Sequence, residues 1–343
     1  MKKVRRPLLL PLTPLYRAAV AVKERLFAWG WLRQRRLEAP VICVGSLSAG
    51  GAGKTPVVLM LATMLRQRGY APRILTRGYG RESKKVSRVE AFDDPRWHGD
   101  EPVLLAQRSG VPVYVGAERY AAGVMAEQEE PTDKLVVHVL DDGFQHRQLA
   151  RDVDIVLLTQ EDVEDELLPG GNLREPLTAL SRADVVVLRE EEAEALRSVA
   201  AEMHGPGRKP AVWVIRRLLS LGEGGEVALP TIPLAFCGIA RPQNFLTMLA
   251  RQGYEPAGTV LFADHHAYAE EDVVRLLREA RRCAANGFVT TEKDVVKLTP
   301  MLRDRLETVG PIVVARLQVE LLEEKDAVLE LVGMVGRLDR RRR

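Results

Sequence analysis

The stretch "VICVGSLSAGGAGKTP", Val41 to Pro56, constrains this chain more than any other. Val41 to Val44 is a short apolar run of the kind that forms a buried strand. Gly50, Gly51 and Gly53 follow, then Lys54 and Thr55, then apolar positions at helical spacing: Val57, Val58, Leu61, Met64 and Leu65. Strand, glycine loop and helix in this order gather backbone N–H groups and a helix N-terminus into a nest for anionic oxygens. Ser48, Ala49, Gly50, Gly51, Ala52, Gly53, Lys54 and Thr55 are therefore the candidate nucleotide-phosphate loop. Lys54 would reach the β- and γ-phosphates, and the Thr55 hydroxyl would bind Mg²⁺. One position departs from the usual G-x-x-x-x-G-K-[ST] pattern, because Ser48 stands where the first glycine is usual. Gly50 and Gly51 are expected to supply the backbone freedom instead.

The rest of the chain alternates in a way that suits this loop. "PRILTRG" (72–78), "VPVYVG", "KLVVHVL" (134–140), "VDIVLL" and "ADVVVLRE" read as strands. "EPVLLAQRSG" and "ERYAAGVMAEQE" read as helices between them. Such alternation predicts an α/β fold, a P-loop NTPase-like, mostly parallel sheet with helices on both faces. "VWVIRRLLSLGEGGEVALP" (212–230) breaks the rhythm, and its Gly-Glu-Gly-Gly centre reads as a hairpin turn. The expected division is an N-terminal helix over 1–38, a nucleotide-binding core over 39–215 and a hairpin linker over 216–230. A smaller second α/β domain over 231–336 and a basic tail over 337–343 complete it.

The net charge of +3 hides an uneven distribution. Residues 1–38 carry ten Lys and Arg against Glu24 and Glu38, which is +8, and the remainder therefore carries 3 − 8 = −5. The prolines Pro7, Pro11 and Pro14 interrupt the first apolar stretch, and no run reaches the length of a membrane span. From Leu15 onward a helix is expected. Leu15, Ala19, Val22, Leu26 and Trp29 form one stripe, with Arg17, Lys23 and Arg25 off it. A basic amphipathic helix edged by Trp29 and Trp31 suits a membrane surface. Two readings compete: a signal peptide, disfavoured because prolines break the apolar stretch and no small-residue cleavage site follows, and a helix packed on its own domain. Cys43, Cys237 and Cys283 show neither metal nor redox spacing, which fits core packing in a reducing compartment.

Further motifs surround the loop. "VVHVLDDGFQH" ends a buried strand in Asp141 and Asp142, where an acid faces the ligand crevice of an open α/β sheet and would hold Mg²⁺. An Asp-Asp-Gly turn is the plainer alternative. In "HGDEP", the spacing of Asp100 and Glu101 favours a helix cap with a first-turn acid over a base and a metal-side carboxylate. In "FADHHAY", Asp264, His265 and His266 cluster. Adjacent histidines at a strand end diverge, so they are not expected to share a metal, but one could orient a carboxylate base. Arg77 and Arg81 in "TRGYGR" and Arg174 in "LPGGNLREP" lie on glycine-rich turns, either as ordinary surface charges or as phosphate clamps.

Three classes of nucleotide protein compete. A GTPase needs N/T-K-x-D, and "TTEKD" (290–294) lacks the spacer between Lys293 and Asp294. A partitioning or metallochaperone ATPase, a nucleotide switch, often carries a lysine where Ala49 stands. A phosphotransferase needs a base and a second surface for the acceptor, and both have candidates here. The blocks "VGSLSAGGAGKTP", "TRGYGR", "GDEP", "DDGFQHR", "LPGGNLREP", "FADHH" and "TTEKDVVKL" together resemble the tetraacyldisaccharide 4'-kinases of lipid A synthesis. The resemblance runs in order from about Val41 to Leu298 and extends to the proline-broken N-terminus.

That resemblance implies ATP-dependent, Mg²⁺-assisted transfer to the 4'-hydroxyl of an acylated glucosamine disaccharide 1-phosphate. It implies a loop tolerant of a non-glycine at Ser48, Asp100 as base oriented by His265, and Glu101 and Asp141 on the Mg²⁺ side with Thr55 and Asp142. Arg77 and Arg174 then become candidate acceptor contacts. The implied setting is peripheral, on the cytoplasmic face of the inner membrane against anionic lipid. Neither a nucleic acid nor an obligate protein partner is expected.

Overall fold

The structure is a computed structural model that describes residues 6–129, 132–204, 210–222 and 229–342, with side chains as far as Arg337. Its strands are β1 (Val41–Ser46), β2 (Ala71–Thr76), β3 (Ser87–Val89), β4 (Val113–Val115), β5 (Val136–Asp141) and β6 (Val153–Leu157). They continue as β7 (Val185–Arg189), β8 (Ala211–Leu221), β9 (Pro233–Cys237), β10 (Gly258–Leu261), β11 (Gly287–Thr291) and β12 (Ile312–Leu321). The helices are α1 (Thr13–Ala28), α2 (Lys54–Gln67), α3 (Pro95–His98), α4 (Asp100–Ser109), α5 (Arg119–Glu127) and α6 (Gln160–Glu164). After them come α7 (Ala193–His204), α8 (Pro242–Arg251), α9 (Glu270–Arg282), α10 (Glu292–Val295), α11 (Pro300–Glu307) and α12 (Glu324–Arg342).

Among the described residues these strands make one sheet in the order β10-β9-β11-β12-β8-β7-β6-β1-β5-β2-β4-β3. Pairing is parallel except for β3 with β4 and β12 with β8. The mostly parallel α/β sheet expected from the alternation is present. β1 shows why its sequence reads as a plain apolar run: it is buried on both faces. Ile42 and Val44 pack with Val57, Val58 and Leu61 of α2, whereas Val41 and Cys43 pack with Leu140 and Phe144 on the other side.

The expected linker takes a different form. β8 pairs parallel with β7 from Ala211 to Ile215 and antiparallel with β12 from Ile215 to Leu221. Residues 216–221 are therefore strand, and the sheet is continuous where a break was expected. Among the described residues β8 does not pair with β9; its neighbours are β7 and β12. Most of the Gly-Glu-Gly-Gly centre falls on 223–228, outside the described residues. The second half has its own core around Leu234, Phe236, Val260 and Phe288. Its last helix leaves it, however: Ala327, Val328, Leu331 and Val335 of α12 pack into the α2 side of the first core. That helix also runs to Arg342, through most of the stretch expected as a tail.

At the N-terminus, a 3-10 turn (Pro7–Leu12) leads into α1, and Lys2, Lys3 and Arg5 of the basic segment lie outside the described residues. One face of α1 is packed on the protein. Phe27 lies beneath the Arg147 guanidinium at 4.9 Å, the Tyr16 hydroxyl donates to the Arg174 carbonyl at 2.9 Å, and Glu24 pairs with Arg147 and Arg182. The apolar stripe points the other way: Leu15 is 70%, Val22 52% and Trp29 66% exposed. No described helix is long and apolar enough to cross a membrane.

Candidate active site

The glycine loop leaves the carboxyl end of β1, between β5 and β6, where an open α/β sheet forms its ligand crevice. Gly50, Gly51 and Gly53 have φ of 71°, 66° and 93°, the left-handed region that costs other residues strain. Ser48 has no positive φ and instead forms an antiparallel bridge with Leu173. The Ala49 N–H donates to the Asn172 carbonyl at 2.9 Å, and the Arg174 N–H donates to the Leu47 carbonyl at 2.8 Å. The turning is thus done by Gly50, Gly51 and Gly53, while Ser48 is extended backbone clamped by the "LPGGNLREP" segment. A glycine is not needed there.

Lys54 opens α2 and curls back over the loop. Its Nζ lies 3.2 Å from Ser46 Oγ and 3.4 Å from Asp142 Oδ1. Arg174 takes the same carboxylate bidentately, Nη1 to Oδ2 at 2.9 Å and Nη2 to Oδ1 at 2.6 Å. Burial alone would raise the Asp142 pKa, but Lys54 and Arg174 outweigh it and hold the carboxyl far below its ordinary range. Arg174, singled out as an acceptor contact, is in this structure a partner of Asp142. Asp141 is buried and accepts from Thr76 Oγ1 at 3.0 Å. Burial, then the nearby Glu101 and Asp142 carboxylates, push it well above the usual carboxylate range. Thr55 is buried in the first turn of α2.

The second half of the chain closes the crevice. Asp100 is the first residue of α4, but its cap position is taken by Gly99, which has no capping side chain. The Asp100 carboxylate is directed instead to His265, whose Nδ1 lies 2.9 Å from Oδ2 and 3.2 Å from Oδ1, and Oδ1 also accepts from the Glu101 N–H at 2.9 Å. The cap favoured by spacing gives way to a buried carboxylate paired with a half-buried imidazole. His265 sits in a turn at φ 58°, strained for a non-glycine residue. Its hydrogen bond to Asp100 raises its pKa against the effect of burial. Burial would raise Asp100, but His265, Lys293 and Lys297 draw it below its ordinary value. His266 diverges as expected, to Asp272 at 2.9 Å, stacked on Phe262.

Local patterns missed five further participants. Tyr79 lies 5.3 Å from the His265 ring. Lys293 ion-pairs with Glu101 across the crevice, and the adjacent Glu292 with Arg108. Arg241 covers the loop so closely that a Cβ at Gly51 would meet its Cδ at 2.6 Å. Asp294 accepts from the Gly238 N–H and the Tyr268 hydroxyl, both at 2.9 Å, so the segment that superficially resembled a guanine-reading motif is a structural hub. Each of these joins positions far apart in the chain, and none has a periodic signal. Arg77 is exposed at the mouth of the site, after β2. Among the described residues, no group of three or more His, Cys, Asp or Glu side chains is arranged as a ready metal cage.

A glycine loop with its lysine, acids at the neighbouring strand end, and a carboxylate–histidine pair facing them across a crevice define a P-loop phosphotransferase. The tetraacyldisaccharide-1-P 4'-kinase family model matches residues 5–334. The chain belongs to that family. It is 41% identical over 335 residues to the tetraacyldisaccharide 4'-kinase of Koribacter versatilis, covering 95% of this chain and 98% of that one. It is 36% identical over 331 residues to the enzyme of the same name from Geobacter metallireducens, at 93% and 95% coverage. Its fold matches the crystal structure of the "apo" form of LpxK from Aquifex aeolicus in complex with ATP, with a TM-score of 0.73, 30% identity, and coverage of 96% and 99%.

Proposed function

We propose that this protein transfers the γ-phosphoryl group of ATP to the 4'-hydroxyl of a tetraacyldisaccharide 1-phosphate, with Asp100 as general base. The observation that carries the reading is the buried Asp100 carboxylate held by the half-buried His265 beside the phosphate loop. Phosphoryl transfer asks mainly for positioning and charge neutralisation. Lys54 meets the β- and γ-phosphate charge on leaving Asp142, and Arg241 lies over the loop from the second half. Asp100 accepts the proton of the incoming hydroxyl as the O–P bond forms, while His265 fixes the carboxylate. A nucleotide switch has no use for a base held this way by the opposite half of the molecule.

Asp141, Thr55 and Glu101, with Asp142 beside them, would hold Mg²⁺. The donor set fits a hard cation that takes one or two carboxylates and completes its shell with phosphate oxygens and water. The crowding that raises Asp141 is a repulsion such an ion relieves. When bound, Mg²⁺ neutralises charge on the phosphate oxygens. The outward stripe of α1 and the basic residues beside it fit a peripheral site on an anionic inner-membrane surface, its cytoplasmic face, where an acylated acceptor resides.

Incubation with γ-labelled ATP, Mg²⁺ and the tetraacyldisaccharide 1-phosphate tests this reading. Label should enter the lipid. Label released only as inorganic phosphate would favour the switch.

A further inference from the structure

The turn between β9 and α8 brings a guanidinium of the second half onto the phosphate loop. Gly238 at its start is fixed by the Asp294 carboxylate, which accepts its N–H at 2.9 Å. Arg241 at its end directly precedes Pro242 and α8. That helix is anchored by Phe245 and Leu249, which pack with Ala235 and Cys237 of β9. Two contacts seat the turn on the loop. A Cβ at Gly50 would meet the Ala240 Cβ at 3.2 Å, and one at Gly51 would meet Arg241 Cγ at 2.7 Å and Nε at 2.8 Å. The stem of Arg241 therefore lies across the glycines just ahead of Lys54.

Other guanidiniums at the loop are committed to protein partners. Arg174 takes Asp142 bidentately, and Arg189 pairs with Glu192 at 3.1 Å while donating to the Ala52 carbonyl at 3.3 Å. Arg241 is held more loosely. Its Nη1 is buried with no hydrogen-bond acceptor among the described residues, and stands 3.3 Å from Glu161 Oε2 of α6 in an ion pair that lacks hydrogen-bond geometry. The two side chains are 15% and 31% exposed, and an ion pair that solvent reaches contributes little. The present partner is therefore easily given up. Loop N–H groups of this kind cradle the α- and β-phosphates, and the lysine reaches the β- and γ-phosphates. A fork lying over the glycines ahead of that lysine stands where the charge of the β–γ link gathers, and its geometry suits phosphate oxygens.

We propose that Arg241 is a catalytic residue, an arginine finger supplied within the chain, which leaves Glu161 when ATP binds and donates to the γ-phosphoryl oxygens and the β–γ bridging oxygen. This rests on the kinase reading above and adds a residue to it. During transfer the bond from the γ-phosphorus to the bridging oxygen breaks, and its electron pair stays on that oxygen. The bond from the acceptor oxygen to phosphorus forms, and the acceptor proton goes to Asp100. Arg241 keeps its own protons and offsets the negative charge that gathers on the leaving oxygen.

Two measurements on the full chain test this. Titration calorimetry with Mg²⁺ compares ADP with a non-hydrolysable ATP analogue, and steady-state kinetics follows label from ATP into the tetraacyldisaccharide 1-phosphate. Arg241→Gln keeps most of the stem over Gly51 and removes the charge. It should bind the analogue about 10-fold more weakly, the size of one charge-assisted hydrogen bond, with ADP affinity unchanged. Its kcat should fall about 1,000-fold, the lower end of the range for an arginine finger. Arg241→Lys should recover part of the analogue affinity and less of kcat, because a point charge replaces the fork. Glu161→Gln removes the resting partner and should tighten the analogue by about 2- to 5-fold while leaving ADP alone. Equal losses for ADP and the analogue on Arg241→Gln, or a kcat close to that of the wild type, would overturn the proposal and leave Arg241 as a clamp on the loop. So would an unchanged analogue affinity on Glu161→Gln, which decides the matter if Arg241→Gln fails to fold. A wild type that labels no acceptor would sink the kinase reading. A wild type that labels it, while Arg241→Gln binds both nucleotides normally, would sink the finger alone.

Discussion

His265 places its Nδ1 2.9 Å from the Asp100 carboxylate, joining the two halves of the molecule across 165 positions of chain. The pair should act as a unit. Asp100→Ala and His265→Ala should each lower kcat by about 100- to 10,000-fold, the range for a positioned base. Neither should change ATP affinity much, and the double variant should be little worse than the worse single one. Losses that multiply, measured by steady-state kinetics on all three variants, would separate the two residues.

The same pair sets a pH window for stability. His265 is raised above its ordinary 6.5, so its contribution is fully present below that pH and is lost as pH rises through the higher folded value. Asp100 is lowered from 3.8, so its contribution is present above that pH and is lost as pH falls through the lower folded value. The contact is therefore strongest between the two. Thermal melts should show His265→Gln costing more near pH 5 than near pH 9. An equal cost at both would mean that the ion pair adds nothing to the fold.

The loop makes an uneven prediction about glycine. Ser48→Gly should leave turnover nearly unchanged, because Ser48 is extended and bridged to Leu173. Gly51→Ala should be harmful, since its φ of 66° and the Arg241 Cδ 2.6 Å from the new Cβ both oppose it. The backbone strain alone is of order 1–3 kcal/mol. ATP binding and melting temperature for the two variants check this.

The structure also changes how the N-terminal helix should be tested. Removing α1 whole would uncover the sites of Phe27, Tyr16 and Glu24 and would confuse membrane release with loss of fold. Replacing Leu15, Val22 and Trp29 with serine or glutamine touches only the exposed stripe. These changes should leave the melting temperature in place, weaken binding to anionic vesicles and raise the acceptor KM. Salt should weaken vesicle binding of the intact protein without abolishing it, because the apolar burial is not screened. Vesicle binding unaltered by the three substitutions would remove the stripe from the account.

These points show what the sequence made legible. β1, the glycine loop and α2 were readable because each is a local pattern: an apolar run, three glycines, a helical period. The acids at the end of β5 were readable because the strand and its terminus are contiguous. β8 was cut short at its midpoint, since a glycine-rich stretch read as a turn outweighed the alternation that continues through Leu219 and Leu221. Whether a stripe on α1 faces inward or outward depends on what lies opposite. Phe27 and Glu24 find Arg147, and no spacing within α1 records that. For the same reason Asp100 reads locally as a cap, and only the resemblance pointed to its distant histidine.

The central claim is that Asp100 takes the proton as the γ-phosphoryl group passes to the 4'-hydroxyl. The most direct measurement follows label from γ-labelled ATP into the tetraacyldisaccharide 1-phosphate, for the wild type and for Asp100→Asn, and locates the new phosphate by phosphorus–proton correlation. The account predicts label at the 4' position with the wild type. With Asp100→Asn it predicts a rate about 100-fold lower or less, at unchanged ATP affinity. Label at another hydroxyl, or a wild-type rate from Asp100→Asn, would contradict it.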